Sequence, residues 1–319
     1  MKKMTILSFI FLSLLFLISI FLVFIFSAHQ EYQEKKTNSF FYPKIYNKNG
    51  EFKYDFLPIN NEKALDNIFL SLVFPAYNEK DRLEKAIERT IKYFNSLKIN
   101  YEIIIVNDGS KDNTFEIIKK IIEKNPNNNI IGVNYKKNGG KGYAVKTGMN
   151  YVRGEYILML DSDGATDIRD YEKLFNEIKG NENSIAIGSR KIILENVERV
   201  WYRNIMGIVN NIIVQNIIGV KGIKDTQCGF KLFTRKSARI IFKNLHIVRW
   251  AFDVDILYIC KKSNIIVKEV PVNWKEIPGS KLVVLTATIS FFRDYFAMIS
   301  FYNSGFWKIN LDKQFIDGK

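Results

Sequence analysis

Four short apolar runs constrain this chain more than anything else in it: residues 68–74 (IFLSLVF), 101–106 (YEIIIV), 130–134 (IIGVN) and 155–160 (EYILML). Each has strand length and is apolar at all but one or two positions, as in strands buried on both faces. Between them, residues 81–97 set Leu83, Ala86, Ile87, Ile91 and Phe94 at helical spacing, and residues 113–124 and 142–152 follow as two more helices. Strands alternating with helices form a mostly parallel sheet covered on both faces, an α/β fold. Such a sheet binds its ligand at the carboxyl ends of its strands. The loops after Phe74, Val106 and Leu160 should therefore converge on one site. The pattern goes on with a helix at 171–178 and a strand at 184–187, then gives way to a segment, 199–218, rich in Ile, Val and Asn.

Two flanking segments lie outside that pattern. Residues 5–26 carry no charge, and as a helix they span roughly 33 Å, enough to cross a bilayer core. The run exceeds the apolar core of a cleavable signal, about 7–15 residues, and no small-x-small site closely follows it, so a retained anchor over 1–27 is expected. Residues 28–66, with breakers at Pro43, Asn49-Gly50 and Pro58, are expected as a linker or membrane-proximal collar. The globular domain then covers 67–281. Residues 282–301 are apolar and aromatic except for Arg293 and Asp294, a pair costly inside a bilayer, so 282–319 is expected at the membrane interface rather than as a second span.

A formal net charge of +14 favours anionic partners: nucleic acid, a membrane surface or phosphorylated substrates. Cys228 and Cys260 are too few for a disulfide framework or a zinc site and fit a reducing compartment. With only His29 and His246 available, any metal must be held by carboxylates.

The polar residues sit where the fold needs a ligand. Pro75-Ala76-Tyr77-Asn78-Glu79 follows the first run, Asn107-Asp108-Gly109-Ser110 the second, and Asp161-Ser162-Asp163 the fourth, with Asp167 beyond. A carboxylate at a strand end can accept from a base or a ribose hydroxyl. Two of them at one strand's exit can hold a hard divalent cation against a diphosphate. Each motif alone is weak, since capping or a solvated turn also explains it. Three acidic loops at adjoining strand ends make one site.

In this order and spacing, PAYNE, VNDGSKDNT, NGGKGYAV, LDSDGATD and GSR resemble the family 2 nucleotide-sugar glycosyltransferases with the inverting GT-A fold. DTQCGFKLF, FDVDILYI and PVNWKEIPGSKL are similar, more narrowly, to the dolichyl-phosphate β-glucosyltransferases; the likeness spans about residues 68–300 and includes the anchor. It implies that Pro75, Ala76, Tyr77 and Glu79 line a uridine site, that Asp108 holds the uracil or ribose, and that Ser110 and Ser162 lie on the donor side. It implies Asp161 and Asp163 as the acids that hold Mg2+ or Mn2+, with Asp163 favoured as the direct ligand. Lys141 would approach the diphosphate, a helix-start lysine being the plainer alternative, and Lys281 would close over the donor. The related mannosyltransferases carry a metal-binding glutamine where this chain has Ala165, which argues for the glucosyl branch and leaves a third protein ligand unassigned.

An anionic acceptor needs cations, and Arg190, Arg203 and Lys231 are the candidates for a lipid phosphate. For Arg203 and Lys231 ordinary surface charge is an equal alternative. Asp225 and Asp253 fall near the same region without an assignable role. The expected reaction is glucose transfer from UDP-glucose to dolichyl phosphate, at the endoplasmic reticulum membrane, with one span and the catalytic domain in the cytosol. The rivals are a GDP-mannose-dependent or other polyprenyl-phosphate transferase, a non-catalytic nucleotide or lipid binder, and a nucleic-acid binder, against which the clustered acids and the anchor argue.

Overall fold

The computed structural model describes residues 2–54, 57–190, 214–215, 219, 222–277 and 284–311. Among these residues nine strands form one sheet: β1 (Lys44–Asn47), β2 (Gly50–Phe52), β3 (Leu70–Ala76), β4 (Tyr101–Asp108), β5 (Asn129–Tyr135), β6 (Tyr156–Met159), β7 (Ser184–Ser189), β8 (Lys231–Thr234) and β9 (Ile266–Pro271). Their order is β2-β1-β5-β4-β3-β6-β8-β7-β9. The centre, β5-β4-β3-β6, is parallel, as the alternation of strands and helices requires, while β8 enters antiparallel between β6 and β7.

The apolar runs conceal a two-residue period that the sheet resolves into two cores. Leu70, Leu72, Phe74, Ile103 and Ile105 face one side, where α2 (Leu83–Leu97), α3 (Thr114–Lys124) and α5 (Tyr171–Ile178) pack. Val73, Ile104, Val106, Ile157 and Met159 face the other, against α4 (Lys141–Met149), α6 (Arg235–Asn244) and α7 (Phe252–Lys262). Ile103, Ile104, Ile105 and Val106 are all fully buried, each stabilising the fold by roughly 1.5–3 kcal/mol. Their loss would take the centre of the sheet with them.

Chain order reverses at β3. From β3 the chain steps outward to β4 and β5, then returns to lay β6 on β3's opposite side. The carboxyl ends of β3, β4 and β6 therefore open onto one crevice, the usual ligand position in such sheets.

Part of the segment expected as a linker belongs to the sheet. The first helix, α1 (Lys2–Thr37), continues past the apolar run, and β1 pairs antiparallel with β5 through Lys44–Asn134, Ile45–Val133 and Tyr46–Gly132. Farther on, the buried Arg235 donates to the carbonyls of Pro58 and Asn61 and so fixes residues 58–61 to the domain.

Helix α1 has two zones. Phe11 to Val23 are largely exposed, whereas Ile25, Ala28, Tyr32 and Lys35 form a buried stripe at helical spacing against the domain. Its segment Phe11–Thr37 is, among the described residues, the one helix long and apolar enough to cross a membrane by length and composition. The late apolar stretch forms α8 (Val284–Asn303), which lies on α1 through Phe296 against Phe21 and Phe301 against Phe26.

Candidate active site

Pro75, one residue before the end of β3, costs the ladder nothing. β6 pairs with β3 only as far as Val73, and Pro75, two residues on, faces the same side, where no strand asks for its missing N–H. Its carbonyl instead accepts from Ser162 Oγ at 2.7 Å, which ties the loop after β6 to the end of β3. The loops after β3 and β4 are laced together as well. Asn78, at φ 55°, donates its N–H to Ser110 Oγ (2.9 Å) and accepts from Lys111 N–H (2.8 Å), and Glu79 N–H donates to Thr114 Oγ1 (2.8 Å). Ser110 braces this loop and is not among the residues that line the cleft.

At the end of β4, Asp108 is 3% exposed. Its Oδ1 accepts from Gly139 N–H at 2.6 Å, and its Oδ2 from Gly140 N–H at 3.1 Å and Asn138 Nδ2 at 2.9 Å. Both oxygens thus hold the glycine-rich turn, where Gly140 has φ 95°. A Cβ on Gly109 (φ 60°) would come within 2.5 Å of the Asn138 backbone, so only glycine lets the two loops touch. Burial pushes the Asp108 carboxyl up to about 6, the backbone donors offsetting only part of the desolvation.

The acids after β6 sit over a buried charge network. Lys141, the first residue of α4, pairs with Asp161 at 2.5 Å and lies over the Trp250 ring. Burial alone would raise the Asp161 carboxyl, but Lys141 beside it brings it below its ordinary value. Asp163 is half-buried, accepts from Ala165 N–H at 2.9 Å, and stands 4.0 Å from Arg82, whose guanidinium also pairs with Glu79 at 2.6 Å. Gly229 lies against Asp161 so closely that any Cβ would collide with the carboxylate.

Beneath them Lys231, 0% exposed, pairs with Asp253 at 2.7 Å. Burial raises the Asp253 carboxyl despite Lys231 and Lys141. Lys231 therefore does not reach the cleft surface, and its expected contact with an acceptor phosphate is corrected: the strand that carries it points it inward to a carboxylate. Arg190 does face the cleft. Asp225 holds its guanidinium through two bonds of 2.7 and 2.9 Å, and it lies over the Trp274 ring.

One cleft of about 550 Å3 gathers Pro75, Ala76, Tyr77, Glu79, Asp108, Lys141, Asp161, Ser162, Asp163 and Arg190. Its size suits a nucleotide-sugar. Arg203 and Lys281 lie outside the described residues. The structure adds Arg82, Asn138, Gln227, Arg249, Trp250, Asp253, Trp274 and Phe291 to the lining. Arg82 was findable from its i, i+3 spacing to Glu79, and Asn138 from the asparagine opening the glycine turn; Arg249, Trp250 and Phe291 carry no local signal.

The glycosyl transferase family 2 description matches residues 71–242, more than half of the chain. The chain belongs to glycosyl transferase family 2. Within that family it is 47% identical over 262 residues to the dolichyl-phosphate beta-glucosyltransferase of Dictyostelium discoideum, covering 79% of this chain and 80% of the relative. The enzyme of that name from Homo sapiens is 39% identical over 252 residues, covering 75% and 78%. Among solved structures, glucosyl-3-phosphoglycerate synthase from Mycobacterium tuberculosis, in complex with Mn2+, UDP and glucosyl-3-phosphoglycerate, superposes with a TM-score of 0.51 at 15% identity, covering 73% of this chain and 79% of that one. That likeness bears on the fold alone: a GT-A-like sheet, as the motifs implied. This family 2 glycosyltransferase thus keeps its acids at the crossing of β3 and β6.

Proposed function

We propose that this glycosyltransferase moves glucose from UDP-glucose to dolichyl phosphate, giving dolichyl β-D-glucosyl phosphate and UDP with inversion at the sugar's anomeric carbon. The observation that carries the reading is the meeting of nucleotide-side residues, strand-end acids and Arg190 in one cleft, in a chain so similar to two glucosyltransferases of that name. A phosphate oxygen forms the new bond to the anomeric carbon, the bond to the UDP oxygen breaks, and its electron pair leaves with UDP. Phosphate monoesters have a second pKa of about 6, so the nucleophile is already ionised and no proton need be removed from it.

In this reading Pro75, Ala76, Tyr77 and Glu79 seat the uridine, and Asp108, which also braces the glycine turn, holds the uracil or ribose. Lys141 faces the diphosphate from its pairing with Asp161, and Ser162 keeps the two loops in register. Arg190, oriented by Asp225, offers its guanidinium to the acceptor phosphate; Arg203 and Lys281 keep the roles that the motifs imply for them, at the acceptor phosphate and over the donor. Asp163 and Asp161 would hold a divalent cation, Mg2+ or Mn2+. Two carboxylates fit such an ion, because magnesium usually takes the rest of its shell from phosphates and water, and the missing Cβ of Gly229 makes room for the Asp161 carboxylate. Among the described residues no group of three or more metal-binding side chains gathers. When bound, the ion would stabilise charge on the departing diphosphate.

Residues 1–27 would anchor the chain in the endoplasmic reticulum membrane, 28–66 would join the anchor to the catalytic unit at 67–281, and 282–319 would lie at the interface. The catalytic unit would face the cytosol, where nucleotide-sugars are made. Calorimetry with UDP and GDP, with and without magnesium, tests the donor half: UDP binding tightened by metal is expected, and a preference for GDP would overturn it. Protease added to sealed microsomes should cleave the catalytic unit; full protection would reverse the orientation.

A further inference from the structure

Helix α1 does more than anchor the chain, because one of its acids reaches the wall of the cleft. Glu31 lies in the docked zone, five residues past the end of the apolar run at Phe26, or about 8 Å of helix rise. That is close to the depth of one polar headgroup layer, roughly 5–8 Å. Its Oε1 accepts from Lys35 Nζ at 2.9 Å and Arg249 Nε at 2.5 Å, and its Oε2 from Arg293 Nη2 at 2.8 Å. Arg293 is shared with Asp294. Three cations meet two acids here, which leaves the node one positive charge in excess.

Arg249 carries that excess into the site. Its side chain is 40% exposed, against 12% for Glu31 and 16% for Arg293, and it lines the cleft. A Cβ placed on Gly140 would sit 3.2 Å from Arg249 Cγ, so the stem of this arginine rests on the glycine turn while its head rests on α1. Phe291, two residues before Arg293, lines the same cleft. The wall nearest the membrane helix is thus a cation and an aromatic ring, both on elements that Glu31 holds. A lipid whose tail lies in the bilayer and whose phosphate sits at headgroup height meets this wall first.

We propose that Arg249 shares with Arg190 the binding of the lipid acceptor's phosphate, and that Glu31 of α1 is the positioning residue that holds Arg249 there. The proposal rests on the reading of the reaction as transfer to a lipid phosphate. Glu31 fixes one face of the guanidinium, and the remaining N–H groups present a fork suited to phosphate oxygens.

The test uses full-length protein in phosphatidylcholine vesicles, with dolichyl phosphate as acceptor and UDP-glucose as donor. Arg249→Ala should raise the acceptor KM about ten- to hundredfold, the size of one lost charge-assisted hydrogen bond, with the Kd for UDP changed less than about twofold. Arg249→Lys should recover part of the loss. Glu31→Gln should raise the acceptor KM in the same direction by a smaller factor at unchanged kcat. An unchanged acceptor KM in Arg249→Ala, or a weakened UDP affinity in its place, overturns the assignment. A lowered thermal midpoint in Glu31→Gln with both KM values unchanged makes Glu31 a clamp only and removes its positioning role. An Arg249→Ala defect that appears only when phosphatidylserine is added would give Arg249 to the bulk membrane surface and also overturns it. If wild-type protein makes no glucolipid at all, the reading of the reaction fails first, an outcome separate from each of these.

Discussion

The donor half of the cleft is made by loops leaving three neighbouring strands of one sheet, whereas the half beside α1 is made by elements that only the finished fold brings together. Lys141 and Asp161 come from a helix and a strand exit that follow one another in the chain, and both belong to the β3–β6 crossing. Arg249 and Glu31 are 218 positions apart, and Arg293 is 262 from the same acid. Parallel strands with crossover helices force their carboxyl ends to one side, so the donor half is built into the topology. No such rule places the N-terminal apolar helix against a loop, and that half depends on a few side chains.

The comparison predicts that the two halves can be damaged separately. Asp163→Ala should bring the largest loss, about 10^3-fold or more in kcat, with fold and anchoring intact by circular dichroism and membrane pelleting. Turnover that stays metal-dependent in this variant would remove Asp163 from the donor half. Lys231→Met should act on stability, because it leaves Asp253 buried without its partner; a loss of roughly 3–5 kcal/mol in denaturant unfolding is expected. An unaltered midpoint would show that the buried pair does not support the donor half from below.

Gly229→Ala should lower kcat about tenfold by displacing Asp161, without moving the acceptor KM. A shift in acceptor KM instead would blur the boundary between the halves. The smallest effect concerns pH. Because the Asp108 carboxyl titrates near 6 rather than 3.8, its protonation favours the folded state. Its contribution to stability is full below 3.8 and lost as pH rises through about 6. Activity should run the other way, since the ionised form accepts better from Gly139 and Gly140: the UDP-glucose KM should rise a few-fold as pH falls through about 6. Asp108→Asn should flatten both profiles, and a profile unchanged in this variant would assign the titration elsewhere.

Legibility in the sequence divides along the same line. The four central strands could be read because largely apolar runs alternated with helices, and position in the sheet turned the three acidic motifs that follow β3, β4 and β6 into one site. The β1–β2 hairpin was missed because its signal is a four-residue strand with one fully buried side chain, Ile45. The resemblance puts Ser110 on the donor side, and what it cannot show is that the hydroxyl accepts from the Asn78 backbone. Lys231 looked like a phosphate ligand because a cation was needed, but its charge is matched by an aspartate 22 positions away that no periodicity joins to it. Arg249 and Glu31 show the limit most plainly: neither lies in a pattern, and only packing of α1 and α8 on the sheet makes them neighbours.

Transfer of labelled glucose from UDP-glucose to dolichyl phosphate in detergent, with and without magnesium or manganese and with GDP-mannose in parallel, tests the central claim most directly. Metal-dependent glucolipid, with no mannolipid, is the predicted result. Mannolipid as the main product, or no product from a folded protein with either donor, would contradict it.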